Sequence, residues 1–278
     1  MEARAHRQSL WAYSDDTQMM ISVAESLLQK DTIEPEHLAQ TLARNYDPAR
    51  GYGKGMKLVF QALERGLSWR EAANSSWAEG SKGNGAAVRV VPIACRYFRE
   101  PETRREAART SALISHTHPI ALAGCDLQAT ALSYLLALEG SQDFSPSHFI
   151  ESLSSELRGD LIFEEKLRMI AWLYQKNADK AEAVKTLGNG SSADEAVPLA
   201  LFCLLKWAPS FETIIINTLQ CGGDTDSIAA LSGALAGALF GVKSISAQWV
   251  QNLEERPEGS EYLLSLAERL YLLTLETL

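Results

Sequence analysis

Two short acidic segments, Ser14-Asp15-Asp16-Thr17 and Gly223-Asp224-Thr225-Asp226-Ser227, stand about two hundred residues apart, and each opens a run of apolar residues at helical spacing. Two readings of such a box are open. Ser, Asp and Thr satisfy orphan amides at a helix start, where an acid gains roughly 0.3–1 kcal/mol from the helix dipole, so both boxes serve as N-caps, with Asp16 or Thr17 capping the first. If the two helix starts converge, capping does not suffice, because carboxylates held about 4 Å apart repel by roughly 4 kcal/mol at an effective dielectric near 20. A divalent cation offsets that repulsion, and a donor set made only of carboxylate and hydroxyl oxygens selects Mg²⁺, Mn²⁺ or Ca²⁺ over Zn²⁺. Two ions roughly 3.5–4 Å apart, sharing these groups, clamp a substrate oxygen and activate a water.

Three other segments carry chemistry-bearing residues. Gly80-Ser81-Lys82-Gly83-Asn84-Gly85 is a glycine-rich turn feeding a helix. Close backbone approach and open amides there suit a phosphate, but the Walker order is absent and, on these residues alone, a tight turn without a ligand is the stronger reading. Gly51-Tyr52-Gly53-Lys54-Gly55 is a second flexible loop whose Tyr either stacks on a base or shields a helix end. Ser115-His116-Thr117-His118-Pro119 sets two imidazoles at a junction between helices. Imidazole matches a hard-ion site poorly, so a hydrogen bond to backbone or to a ligand phosphate suits these rings better. His6, His37 and His148 sit in polar contexts and read as surface groups, and the six Trp residues are scattered as core packing requires.

The elements that must position these groups read as helices throughout. Met19, Met20, Val23, Ala24, Leu27 and Leu28 follow the first box at i, i+3, i+4, i+7 spacing, and Ile228, Leu231, Leu235 and Leu239 follow the second. Gly233, Gly237 and Gly241 recur every four residues there, on a strip where another helix can approach closely. Ile214-Ile215-Ile216 is the only β-branched run and is too short to make a strand. The fold class is therefore all-α, with a dozen or so helices. The 278 residues, 46% of them hydrophobic, contain no long linker, so the reading is one domain over 1–278, with Leu187 to Ser192 its best loop. A net charge of −9 without a basic block argues against general nucleic-acid binding. Four separated cysteines without a Cys-x-x-Cys pair fit buried thiols in a reducing compartment. No leader pattern opens at Met1 and the longest apolar stretch, near Ile228 to Phe240, is too short to span a membrane, so the expected location is cytoplasmic.

Taken in order, Ser14-Asp15-Asp16-Thr17-Gln18-Met19, Arg50-Gly51-Tyr52-Gly53, Gly83-Asn84-Gly85-Ala86-Ala87-Val88-Arg89, Ser115-His116-Thr117-His118-Pro119 and Gly222-Gly223-Asp224-Thr225-Asp226-Ser227-Ile228 resemble the ADP-ribosylglycohydrolase family from about residue 13 to about 242. The resemblance implies a compact orthogonal multi-helix domain with two Mg²⁺ (or Mn²⁺) ions. It implies hydrolysis of the N- or O-glycosidic bond joining ADP-ribose to a protein side chain or small acceptor, the ADP-ribosylated molecule being the partner. Carried over by position, Ser14, Asp15, Asp16, Asp224, Asp226 and Ser227 match the metal ligands, and Asp15, Asp16 and Asp226 the catalytic acids. Ser81, Gly83, Asn84 and Gly85 match the diphosphate loop, His116 lies near the phosphates or ribose, and Gly51 and Tyr52 border the adenosine end.

One departure stands out. The resemblance also implies a first helix carrying Gly-Asp-x-x-Gly and then a Glu, whereas only thirteen residues precede Ser14 and Glu2 is the sole carboxylate among them. The expectation is an N-terminally truncated enzyme, or a pseudoenzyme that binds ADP-ribose without efficient turnover, with an apolar groove where the helix would have packed. A two-metal hydrolase of another ribosyl compound is the third reading.

Overall fold

The helical periodicities form helices in the computed structural model, which describes residues 11–157, 159–254 and 258–275. The first eight are α1 (Asp15–Lys30), α2 (Pro35–Asn45), α3 (Lys54–Glu64), α4 (Trp69–Ala73), α5 (Gly85–Val88), α6 (Val91–Arg96), α7 (Pro101–Leu113) and α8 (Pro119–Leu136). Then follow α9 (Pro146–Glu156), α10 (Leu161–Gln175), α11 (Lys180–Leu187), α12 (Ala193–Trp207), α13 (Phe211–Leu219), α14 (Thr225–Phe240), α15 (Ala247–Gln251) and α16 (Ser260–Leu275). The fold is all-α as expected. It has more helices than expected because one- and two-turn pieces such as α4, α5 and α15 are too short to show a period. Two isolated bridges, Trp11 with Leu253 and Gly83 with Ser192, are the only β pairing among the described residues, and the isoleucine run lies inside α13.

The organising element is α8. It is apolar nearly all round, with Ala121, Ala123, Cys125, Leu127, Ala129, Leu132 and Leu135 buried, as a central helix must be. Helices α5, α6, α7, α9, α10, α12 and α14 all pack on it. Two of those contacts set the position of functional loops. A Cβ at Gly124 would lie 2.7 Å from the Ala193 Cβ, so the start of α12 rides against α8 at a separation only glycine permits. Gln128 Nε2 donates to Leu231 O at 3.1 Å and ties α14 to the same helix.

The glycine strip of α14 behaves differently from expectation. Only Gly233 meets a neighbour, Ile215 of α13 at 3.3 Å from a would-be Cβ, while Gly237 faces open space and Gly241 ends the helix at φ +74°. Of the six tryptophans only Trp69 is in the core; Trp11, Trp77 and Trp172 are about half exposed, so scattered spacing misled the packing reading. Cys203 and Cys221, distant in sequence, come together and their thiols hydrogen-bond, with burial pushing Cys203 up. His37 is bonded by Ser26 and Gln29 and His148 by Tyr134, while His6 and Glu2 lie outside the described residues. An apolar groove of about 490 Å³ opens between α1, α6 and α16 and is lined by Met20, Ala24, Phe98, Leu266 and Leu270. No helix among the described residues is long and apolar enough to cross a membrane.

Candidate active site

The first acidic box opens α1, with Ser14 as N-cap and Asp15 and Asp16 in the first turn. Ser14 makes no side-chain cap bond, so neither Asp16 nor Thr17 nor Ser14 caps in the expected way. The box is placed instead by the chain's other end. Trp11 N donates to Asn252 O at 2.6 Å and Glu254 N to Trp11 O at 3.1 Å, and Tyr13 N donates to Glu254 Oε1 at 3.0 Å. Buried Arg50 pairs with Glu254, donates to Tyr13 O at 2.9 Å, and lays its guanidinium 3.7 Å from the centre of the Tyr13 ring. Inside α1, Gln18 Oε1 accepts from Asp47 N at 3.0 Å and from the Tyr52 hydroxyl at 2.9 Å. The loop after α2 is thereby drawn against the helix start, and Gly51 sits beside Asp15, whose Oδ1 lies 3.7 Å from a Cβ built on that glycine.

The second box opens α14, and it too leaves its side chain uncapped: Asp224 is the N-cap and makes no side-chain cap bond. The chain turns into it through Gly222 and Gly223 at φ +68° and +73°. At Gly223 a Cβ would fall 1.9 Å from Asn189 O, a distance no other residue tolerates. Asn189 O accepts the Asp224 amide at 2.8 Å, and Asn189 Nδ2 donates to Cys221 O at 3.0 Å. Asn84 Nδ2 donates to Asp224 Oδ2 at 2.7 Å across 140 residues of sequence.

The two boxes face each other. Burial pushes the Asp15 carboxyl up to about 6, and the charges of Asp226 and Asp224 add to the rise. Asp16 is pushed up to about 7, again mainly by burial and then by Asp15 and Asp226, while its hydrogen bond with Ser227 opposes the shift. Asp224 is raised by burial and by Asp226, against the hydrogen bond from Asn84. Among the described residues no three His, Cys, Asp or Glu side chains close around a single point tightly enough to hold an ion between them. The donors nevertheless fit a hard divalent cation. They are carboxylate and hydroxyl oxygens only, they repel one another, and the buried Asp16 Oδ2 has no hydrogen-bond partner.

The glycine turn lies alongside. It folds over the His116 ring, which stands 3.0–3.2 Å from Cβ atoms built on Gly83 and Gly85, and it is locked by Gly80 at φ +83°, where a Cβ would strike Thr117 Oγ1 at 2.3 Å. His116 is held near 3 by burial and by the buried Arg89 guanidinium, so its ring is neutral, with Nδ1 engaged by Ser115 Oγ at 2.7 Å. His118 is a helix cap, accepting from Ile120 N at 3.1 Å, so the two imidazoles do not form a pair. The Gly83 amide is spent on Ser81 Oγ and the Asn84 amide on Ser191 O, which leaves the Ser81, Lys82 and Gly85 amides without a partner among the described residues. A cavity of about 570 Å³ opens on this turn, lined by Trp77, Lys82, Gly83, Ser191 and Ser192. Tyr52 is not beside it: its ring is 2% exposed and packs edge-on against Tyr46 and Phe60.

Sequence reasoning missed four contributors. Asn189 reads only as part of a loop, Glu254 and its pairing with Arg50 across 204 residues go unread, and Trp77 reads as core packing. The doubled glycines at 222 and 223 were the available signal that another backbone approaches there.

An all-helical scaffold thus sets two acidic helix starts near each other beside a glycine turn, and the relatives that match this chain are hydrolases by name. The chain belongs to the ADP-ribosylglycohydrolase family, whose profile matches residues 3–277. It is 34% identical over 275 residues to mouse (Mus musculus) ADP-ribosylhydrolase ARH3, covering 87% of this chain and 73% of that one. The zebrafish (Danio rerio) ADP-ribosylhydrolase ARH3 is 34% identical over 292 residues, 93% of this chain and 77% of its own. The ADP-ribosyl-[dinitrogen reductase] glycohydrolase of Rhodospirillum rubrum is 24% identical, over 88% of this chain and 74% of its own. An ADP-ribosylglycohydrolase-related protein complex shares the fold with a TM-score of 0.68 at 22% identity, over 96% of this chain and 82% of that one.

Proposed function

We propose that the chain is a metal-dependent hydrolase that cleaves the N- or O-glycosidic bond between ADP-ribose and a protein side chain or small acceptor. The observation that carries this reading is that four carboxylates from two distant helix starts face one another while neither helix uses its N-cap side chain as a cap. Ser14, Asp15, Asp16, Asp224, Asp226 and Ser227 would hold the cation or pair of cations, Mg²⁺ or Mn²⁺. Bound there, such ions polarise substrate hydroxyls and lower the pKa of a water. The chain's own residues do the rest. Without a cation, burial and mutual repulsion hold the Asp15 and Asp16 carboxyls partly protonated near neutrality; when a cation binds, those protons leave, and the two carboxylates, with Asp226 beside them, hold it and orient the water. The open amides of Ser81, Lys82 and Gly85 take the diphosphate, and Gly83 and Gly85 let it approach the neutral His116. Asn84, whose side chain is committed to Asp224, links that turn to the acids instead of offering its amide to the ligand. The adenosine end falls in the 570 Å³ cavity against Trp77, since buried Tyr52 has no free face, and Gly51 borders the acids instead.

The test is release of free ADP-ribose from a panel of ADP-ribosylated proteins and small acceptors, with Mg²⁺, with Mn²⁺ and with EDTA. Release that EDTA abolishes, and that Asp224→Ala with Asp226→Ala removes, is the expected result. Turnover retained in that double variant sinks the assignment, and tight ADP-ribose binding without release points to the pseudoenzyme.

A further inference from the structure

Glu195 lies in the first turn of α12, away from both acidic boxes, and its carboxylate faces back into the loop that precedes the helix. Its Oε2 accepts the Gly190 amide at 2.8 Å. The loop is wrapped tightly on this group: Cβ atoms built on Gly188 and Gly190 would lie 2.5 and 2.9 Å from it, and Gly188 adopts φ +88° to make the turn. The residues on either side of Gly190 are the ones that hold the candidate site. Before it, Asn189 O accepts the Asp224 amide at 2.8 Å. After it, Ser191 O accepts the Asn84 amide at 2.9 Å, and Ala193 N donates to Lys82 O at 2.9 Å. Asn84 then donates its side chain to Asp224 Oδ2 at 2.7 Å. A closed ring results, in which Asp224 is gripped by its backbone through Asn189 and by its carboxylate through Asn84, and the carboxylate of Glu195 pins the loop from which both grips start.

We propose that Glu195 is a positioning residue for Asp224, fixing through the 188–192 loop which oxygen of that carboxylate is given to Asn84 and which is left to the site. The inference rests on the reading above that Asp224 belongs to the cation-binding centre. Glu195 itself touches none of the site carboxylates, so it acts through the loop and not on the ligand. An acid in the first turn of a helix has an ordinary role too, as partner of the helix dipole, and that role depends on charge and not on reach. The two roles separate by substitution. Glu195→Asp keeps the charge in the first turn and withdraws the carboxylate by one methylene from the Gly190 amide. Glu195→Gln removes the charge and keeps an oxygen where the amide needs it.

The experiment is titration of Mn²⁺ alone into the full chain by calorimetry, for the parent, Glu195→Asp, Glu195→Gln, Glu195→Ala and Asp224→Ala, with thermal unfolding as the control for folding. Supporting groups behind a metal ligand are worth about 10–100-fold in affinity. The expected result is that Glu195→Asp and Glu195→Ala weaken Mn²⁺ binding by about tenfold or more, that Glu195→Gln stays near the parent, and that Asp224→Ala loses binding. If Glu195→Ala does not fold, the contrast between Asp and Gln decides alone. Parent-like affinity in Glu195→Asp, with Asp224→Ala inactive in binding, overturns the inference and leaves the site reading intact. Undiminished Mn²⁺ binding in Asp224→Ala overturns the site reading, and the inference with it.

Discussion

The two acidic boxes look alike in sequence and are held in place by opposite means. The first is clamped by charge: Arg50 and Glu254, with side chains 6% and 10% exposed, grip Tyr13 immediately before Ser14. The second is clamped by neutral groups, the Asn189 carbonyl and the Asn84 amide, around a doubled glycine. The difference follows from where each box comes in the chain. The first begins a helix entered from an extended segment that pairs through Trp11 with residues 252–254, so the Tyr13 backbone next to the box is left to the Arg50 and Glu254 side chains. The second is entered from a tight turn between α13 and α14, where another loop's backbone fits directly. A charged clamp is strong only while both charges remain, whereas a backbone clamp fails only if the chain is pushed aside.

The largest expected effect comes from breaking the charged clamp. Glu254→Ala leaves buried Arg50 with Asp47, 3.6 Å away, as its counter-charge and removes the acceptor of the Tyr13 amide, so chemical denaturation should show a loss of about 3 kcal/mol, the low end for a broken buried pair. A loss under about 1 kcal/mol, the worth of a surface pair, would mean that the pair is not the hold on the first box. The matching change in the second box is Gly223→Ala. A methyl driven toward Asn189 O must displace the loop, at about 1–3 kcal/mol, and the loss should appear also as weakened Mn²⁺ binding because Asp224 moves with its amide partner.

The acids of the first box should also show in the response to pH. An acid whose folded-state pKa exceeds its unfolded value binds more protons folded than unfolded between the two values, so the fold loses stability as pH rises through that window. For Asp16 the window runs from 3.8 to about 7 and for Asp15 from 3.8 to about 6. The cation-free protein should therefore lose part of its stability between about pH 4 and 7, and Asp16→Asn should flatten that slope. Mn²⁺, which competes with those protons, should restore stability most at the upper end of the window. A cation-free slope unchanged by Asp16→Asn would show that the buried carboxyl ionises as easily as a solvated one.

How much of this was legible in the sequence depends on the range of the interaction. Helical periods are local, so the all-α class, the two boxes at helix starts and the glycine turn at Gly83 to Gly85 could be read directly. The pairs that orient the boxes span 140 and 204 residues and leave no period, so Asn84 with Asp224 and Arg50 with Glu254 could not. Tyr52 shows the same limit from the other side. In sequence it is a tyrosine between glycines, open to a ligand; in the fold Gln18 binds its hydroxyl and two aromatic rings close over it. Trp77 is the reverse case, expected inside and found half exposed beside the glycine turn. Polar capping chemistry was legible as a residue type and misleading as a role.

That last point yields the smallest and sharpest test. A serine N-cap ordinarily contributes about 0.5–2 kcal/mol through its bond to a helix amide, and replacing it by alanine loses that. Ser14 occupies the N-cap of α1 without making the bond, so Ser14→Ala should cost less than about 0.5 kcal/mol in the cation-free protein. If its hydroxyl instead faces the acids as one of the cation's oxygens, the stabilisation that Mn²⁺ confers should shrink in Ser14→Ala while the cation-free stability stays level. A full capping loss with no change in the Mn²⁺ response would return the first box to an ordinary helix start, and would leave the second box, held by its neutral ring, to account for the cation by itself.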